Sequence, residues 1–118
     1  MENTLFYLST CKTCQRIMDE VGVADTDLKQ QDIKKESFTE AQVDELAELA
    51  GSYEAIFTRR SRQYRALGLH ELELTEADYK KYLLEHYSFL KRPVFVIDGE
   101  AFVGNAKKTV EAVAQKLS

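Results

Sequence analysis

The 118-residue sequence predicts an α/β fold in the order β-α-β, a helical middle, then β-β-α. Three observations carry that expectation. A short apolar run, Leu5-Phe6-Tyr7-Leu8, passes through Ser9-Thr10-Cys11-Lys12-Thr13-Cys14 into a segment where Ile17, Met18 and Val21 recur at helical spacing. Val94-Phe95-Val96-Ile97 is a continuous apolar run followed by Asp98-Gly99, as expected of a buried strand entering a two-residue hairpin. Between them lie two capping boxes, Thr39-Glu40-Ala41-Gln42 and Thr75-Glu76-Ala77-Asp78, each opening a helix.

In chain order, the first strand leads through the cysteine turn into a helix that Gly22 ends. A loosely patterned strand is expected near residues 26–32, and its low apolar content suits an edge or short strand. A β-α-β unit of this length fits a right-handed parallel crossover. The helix after Thr39 carries the stripe Val43, Leu46, Ala47, Leu49 and Ala50 and stops at Gly51. Tyr53 to Phe57 suits a further short helical turn, and Thr58 to Gly68 a helix with a narrow face of Tyr64 and Leu67. The helix after Thr75 presents Tyr79, Tyr82, Leu83 and His86. Ala101-Phe102-Val103 returns from the hairpin, and a last helix buries Val110, Val113, Ala114 and Leu117. A parallel crossover, an antiparallel hairpin and a closing helix make the thioredoxin-like arrangement, with a mixed four-stranded sheet. Residues 1–118 are expected to form one domain, with a helical insertion at about 36–90.

Composition narrows the class. With 44% hydrophobic and 31% charged residues, five Gly and one Pro, the chain reads as an ordinary globular protein. No apolar run approaches the roughly 20 residues a bilayer crossing needs, and Met1-Glu2-Asn3-Thr4 lacks the basic start of a signal peptide. A cytoplasmic location is the resulting expectation. Two cysteines three residues apart constrain an unfolded chain very little, so redox chemistry or metal binding is favoured over stapling. A tetrahedral zinc site needs about four ligands, and only His70 and His86 are added donors, so no metal is expected. The net charge of −4 argues against a general nucleic-acid binder. Four of the six arginines nevertheless fall at Arg59, Arg60, Arg62 and Arg65, and another, Arg92, stands beside the only proline. A local anion site is one reading of that cluster. A solvated helix face is the other, because helix spacing turns Arg62 and Arg65 away from Arg59.

The chemistry centres on the Cys-x-x-Cys pair. Unpaired amides and the positive dipole end at a helix start favour a thiolate, which makes Cys11 a candidate nucleophile and Cys14, one turn on, a resolving thiol. Two small core residues would be the bland alternative. Lys12 could add charge near the thiolate or simply be exposed. Thr10 or Ser9 could cap the helix or donate to a bound anion, capping being the favoured role. Pro93 sits where a thioredoxin-like fold places a cis proline facing the redox turn, although a trans proline opening the strand also satisfies the sequence. If Pro93 faces Cys11, Arg92 comes with it and could hold an oxyanion in bidentate geometry. His86, on an apolar stripe, reads as a packed aromatic.

These residues resemble the ArsC/Spx family of arsenate reductases and Spx-type regulators. The resemblance rests on the N-terminal cysteine turn, on Thr58-Arg59-Arg60-Ser61 followed by Tyr64-Arg65-Ala66-Leu67-Gly68-Leu69, and on Leu90-Lys91-Arg92-Pro93-Val94 with Asp98-Gly99 and Val103-Gly104. It implies a reductase in which Cys11 attacks an oxyanion such as arsenate or a disulfide. Arg92 and Arg60, or Arg59, would hold the anion, and no cofactor would be bound. Glutathione with glutaredoxin, or thioredoxin, would supply electrons. The third anion-binding arginine of such reductases meets Gly104-Asn105-Ala106 here, a departure from the arsenate-reducing pattern. The Spx branch implies instead a redox switch at Cys11 and Cys14 on a regulator that binds the C-terminal domain of the RNA polymerase α subunit, without contacting DNA directly.

Overall fold

A computed structural model describes residues 1–118, which fall into two compact units, Met1–Ser37 with Arg92–Ser118, and Phe38–Lys91. The first unit is organised on β1 (Thr4–Tyr7), which pairs in parallel with β2 (Lys29–Asp32) and antiparallel with β3 (Val94–Ile97). β4 (Glu100–Val103) is antiparallel to β3, so the sheet order is β2-β1-β3-β4, the mixed four-stranded sheet of a thioredoxin-like fold. β2 is the expected edge strand but begins only at Lys29. Before it, the Thr26 amide and hydroxyl both donate to the Val23 carbonyl, at 3.0 and 2.7 Å, closing the 3-10 turn Val23–Asp25, and the Leu28 amide turns back to Thr26 Oγ1 at 3.4 Å, so Thr26 and Leu28 spend these donors locally rather than on the ladder.

The helices of this unit are α1 (Lys12–Val21) and α6 (Lys107–Leu117), which pack against each other. Leu5 and Phe95 face one another across β1 and β3, and Phe102 lies opposite Phe95 on β4. With Ile17 and Val21 from α1 and Val110 and Val113 from α6, Leu5 and Phe95 form a continuous buried core against which Phe102 packs. Val94, Phe95, Val96 and Ile97 are all buried, as a central strand covered on both faces requires. Asp98 and Gly99 both have positive φ, 52° and 78°, the backbone that a two-residue hairpin imposes and that Asp-Gly tolerates.

In the second unit both capping boxes close. The Gln42 amide donates to Thr39 Oγ1 at 3.1 Å and the Thr39 amide to Gln42 Oε1 at 2.9 Å, starting α2 (Glu40–Ala50). The reciprocal bonds between Thr75 and Asp78, 3.3 and 2.9 Å, start α5 (Glu76–Glu85). Short helices α3 (Tyr53–Ile56) and α4 (Arg62–Ala66) lie between them in sequence. Phe57 is the aromatic centre, stacked on Phe89 at 5.0 Å and edge-on to Tyr79 at 4.9 Å. Lys80 of α5 joins α2 through Glu40 at 2.8 Å and Asp44 at 3.0 Å. Two expected stripe positions depart from the pattern. Leu49 is 37% and Leu67 52% exposed, and α4 buries no residue, because a helix of five residues offers no continuous face. No helix is long and apolar enough to cross a membrane.

Candidate functional site

Beyond β1 the chain turns sharply at Leu8–Cys11, closed by the Cys11 amide donating to the Leu8 carbonyl at 2.9 Å. Cys11 is the N-cap of α1, in extended backbone at φ −91° and ψ 112°, and Cys14 is the third helical residue. Helix capping by Ser9 or Thr10 is therefore not what the fold uses. The turn places both residues ahead of the cap, and no side chain closes a capping hydrogen bond there. The Ser9 amide donates instead to Asp32 Oδ1 at 3.3 Å, and Thr10 is exposed.

Both cysteines are free thiols with different surroundings. Cys14 is fully buried, while Cys11 is partly open to solvent. Burial pushes the Cys14 thiol up to about 11, with some opposition from the Leu8 backbone and a further upward push from Cys11. Partial burial would also raise Cys11, but the Cys14 amide and thiol, the Arg92 charge and a hydrogen bond from Arg92 outweigh it and hold the Cys11 thiol below its ordinary value. Arg92 and Pro93, joined by a cis peptide bond, immediately precede β3, and Arg92 lies close enough to Cys11 to act on it by charge and by a hydrogen bond. Asp32 was not legible in the sequence as part of this region. It reaches Ser9 across 23 residues through the parallel pairing of β1 and β2, and no local pattern signals that contact.

Arg59 and Arg60 belong to the second unit and differ from one another. The Arg59 guanidinium donates to Glu54 at 2.7 Å and to the Tyr79 hydroxyl at 2.8 Å, and it lies over the Tyr79 ring. Arg60 is exposed, with its amide on Thr58 Oγ1 at 3.2 Å. An open groove of about 570 Å³ is lined in part by Glu54, Thr58, Arg59, Arg60 and Lys91. With Glu54 paired to Arg59, the remaining charges of the groove are positive. The next residue, Ser61, caps α4 by accepting from the Gln63 amide at 3.2 Å, and its hydroxyl meets that of Ser88 at 2.6 Å. His86 accepts the Ser88 amide on Nδ1 at 3.1 Å and stacks on Tyr87 at 4.6 Å, which makes it a packed aromatic. No group of three or more His, Cys, Asp or Glu side chains is arranged to hold a metal ion.

A mixed β2-β1-β3-β4 sheet with two thiols at the start of its first helix defines a thioredoxin-like α/β protein carrying a dithiol turn. The ArsC family model matches residues 6–113, and the chain belongs to the ArsC family. No curated protein matches the sequence significantly. Among solved structures, an arsenate reductase from Vibrio cholerae superposes with a TM-score of 0.77 at 16% identity, covering 97% of this chain and 96% of the other. An arsenate reductase (ArsC) related protein from Brucella melitensis gives 0.72 at 24% identity, covering 95% and 93%. A structure described as a possible arsenate reductase from Streptococcus mutans gives 0.69 at 25% identity, covering 89% and 91%. Likeness at such identities is likeness of fold.

Proposed function

We propose that the chain is a thiol-based reductase of a small oxyanion, with arsenate the leading substrate, working in a reducing compartment such as the cytoplasm. The observation that carries this reading is the asymmetry of the dithiol: an accessible Cys11 favoured as thiolate beside Arg92, and a buried Cys14 kept protonated. Cys11 Sγ attacks As(V); a sulfur–arsenic bond forms and an arsenic–oxygen bond breaks, the oxygen leaving as water once protonated. Cys14, losing its proton, then attacks Cys11 Sγ. The sulfur–arsenic bond breaks with its electron pair remaining on arsenic, which departs as arsenite, and the dithiol becomes a disulfide. Once Cys11 is bonded to arsenic its negative charge is gone, so one of the influences raising Cys14 disappears when Cys14 must ionise. Glutathione with glutaredoxin, or a thioredoxin-type dithiol, returns the disulfide to two thiols. A disulfide substrate would use the same two sulfurs.

Arg92, beside Pro93, is the anion ligand at Cys11; the second arginine that the family resemblance implies is taken as Arg60, because Arg59 is already committed to Glu54 and Tyr79. Thr10, exposed beside Cys11 in sequence, is a further donor to the anion. The test is arsenate-dependent oxidation of glutathione in the presence of glutaredoxin. Turnover is expected, abolished in Cys11→Ser and lost at the second step in Cys14→Ser, which should retain one equivalent of bound arsenic. A second reading, a redox-sensing regulator of the Spx kind, draws on the same dithiol together with Gly104-Asn105-Ala106 where a third arginine would stand. Absence of turnover with any thiol donor, combined with binding to the C-terminal domain of the RNA polymerase α subunit, would replace the first reading with the second.

A further inference from the structure

Asp32 is the last residue of β2, in register with Tyr7 at the end of β1. Its side chain is only 8% exposed. Oδ1 accepts two backbone amides, from Ser9 at 3.3 Å and from Lys34 at 3.2 Å. Oδ2 is buried and has no hydrogen-bond partner. A buried carboxylate with an unpaired oxygen is costly, and a local turn onto Lys34 needs nothing more than Asn or Ser. The acid therefore calls for an explanation beyond its own turn, and the Ser9 amide supplies one.

Ser9 is the first corner of the Leu8–Cys11 turn that delivers Cys11 to the N-cap of α1. That turn's internal hydrogen bond uses the Cys11 amide and leaves the Ser9 amide to find an acceptor elsewhere. One residue upstream of the turn, the Ile33 amide donates to the Tyr7 carbonyl at 2.9 Å. The end of β2 thus grips the chain on both sides of Leu8, once by backbone and once by the Asp32 carboxylate. Acceptance by a full charge is about twice as strong as by a neutral oxygen, which offsets the unpaired Oδ2. Although burial acts to raise Asp32, the Ser9 hydroxyl and amide, the Lys34 amide and the Lys35 charge outweigh it, so the group remains an anionic acceptor through neutral pH.

We propose that Asp32 is a positioning residue for the reactive thiol: its hold on the Ser9 amide fixes the Leu8–Cys11 turn, and so keeps Cys11 Sγ against the Cys14 amide and Arg92. The proposal rests on the reading of Cys11 as the attacking thiolate. It is tested by the rate of iodoacetamide alkylation of Cys11 against pH in the full chain, the D32N variant and the D32A variant, each checked by thermal melting. In D32A the alkylation midpoint is expected to rise by about one pH unit, slowing alkylation about tenfold below it. D32N keeps an oxygen for the two amides but loses the charge, and its midpoint is expected to rise by less than that of D32A. Folded D32A with an unmoved midpoint, or D32N displaced as far as D32A, would overturn the role given to Asp32. An unsubstituted protein with an ordinary thiol midpoint would instead overturn the reading of Cys11 itself. Should D32A not fold, hydrogen exchange in the unsubstituted protein decides: a protected Ser9 amide that loses protection as Asp32 protonates in acid supports the proposal, and one exchanging as fast as an open peptide overturns it.

Discussion

Cys11 and Cys14 stand one helical turn apart and are driven in opposite directions, the first down by amide, thiol and arginine, the second up by burial. Alkylation should therefore proceed at Cys11 with a midpoint below the roughly 8.5 of an ordinary thiol, and Cys14 should react only on unfolding. Mass mapping of the modified peptide checks both parts. Arg92→Ala should raise the Cys11 midpoint and weaken anion binding, whereas Arg92→Lys should restore the charge but not the bidentate hold. The pH dependence of stability follows from the same shifts. Asp32 has a depressed folded pKa, so its contribution is present above its unfolded value near 3.9 and is lost as pH falls through the folded value. Cys14 has a raised one, so its contribution is full below about 8.5 and is lost as pH rises toward 11. Denaturant melts of Cys14→Ala should lack the part of the alkaline decline that belongs to that thiol.

Helix ends are where single residues act on whole elements. Gly22 closes α1 at φ +74°, with its amide on the Asp19 carbonyl at 3.3 Å, and a Cβ there would meet no atom within 4 Å. Gly22→Ala should then cost about 1 kcal/mol through backbone conformation alone, measured as a lowered denaturation midpoint with unchanged slope. Thr39→Ala removes the hydroxyl half of the α2 capping box and should cost about 1 kcal/mol as well. In the loop between α3 and α4 the two arginines should separate cleanly. Arg59→Ala breaks an exposed pair with Glu54 and a bond to Tyr79, and should lower stability by up to about 1 kcal/mol. Arg60→Ala should leave the melting curve in place and raise KM for the anion; the opposite partition would reassign the binding role to Arg59.

At the scale of the molecule, the first unit depends on a sheet whose central strands are buried on both faces. Phe95, 1% exposed, stands opposite Leu5 on one side and Phe102 on the other. Phe95→Ala should cost about 3–5 kcal/mol, a large fraction of a typical domain's stability, and calorimetry reads it directly. Because Arg92 and Pro93 immediately precede β3, that loss should be accompanied by a return of Cys11 toward ordinary reactivity. Element order, both capping boxes, the Asp98–Gly99 turn and the edge position of β2 were legible in the sequence, since each is written in residues no more than a few positions apart. Leu67 was misleading because periodicity cannot tell that a helix will stop after five residues.

What the sequence determined by itself was a dithiol at the start of the first helix, an arginine before the only proline, and an α/β order able to carry both. Tertiary structure decided the rest. It buried Cys14 and left Cys11 open, committed Arg59 to Glu54 while leaving Arg60 exposed, and tied Ser9 to Asp32 rather than to a helix cap. Local signals act through backbone geometry over one or two turns. Burial, ion-pair choice and the Ser9–Asp32 contact depend instead on which strands and helices meet, and residues 5, 23 and 25 positions apart settle them.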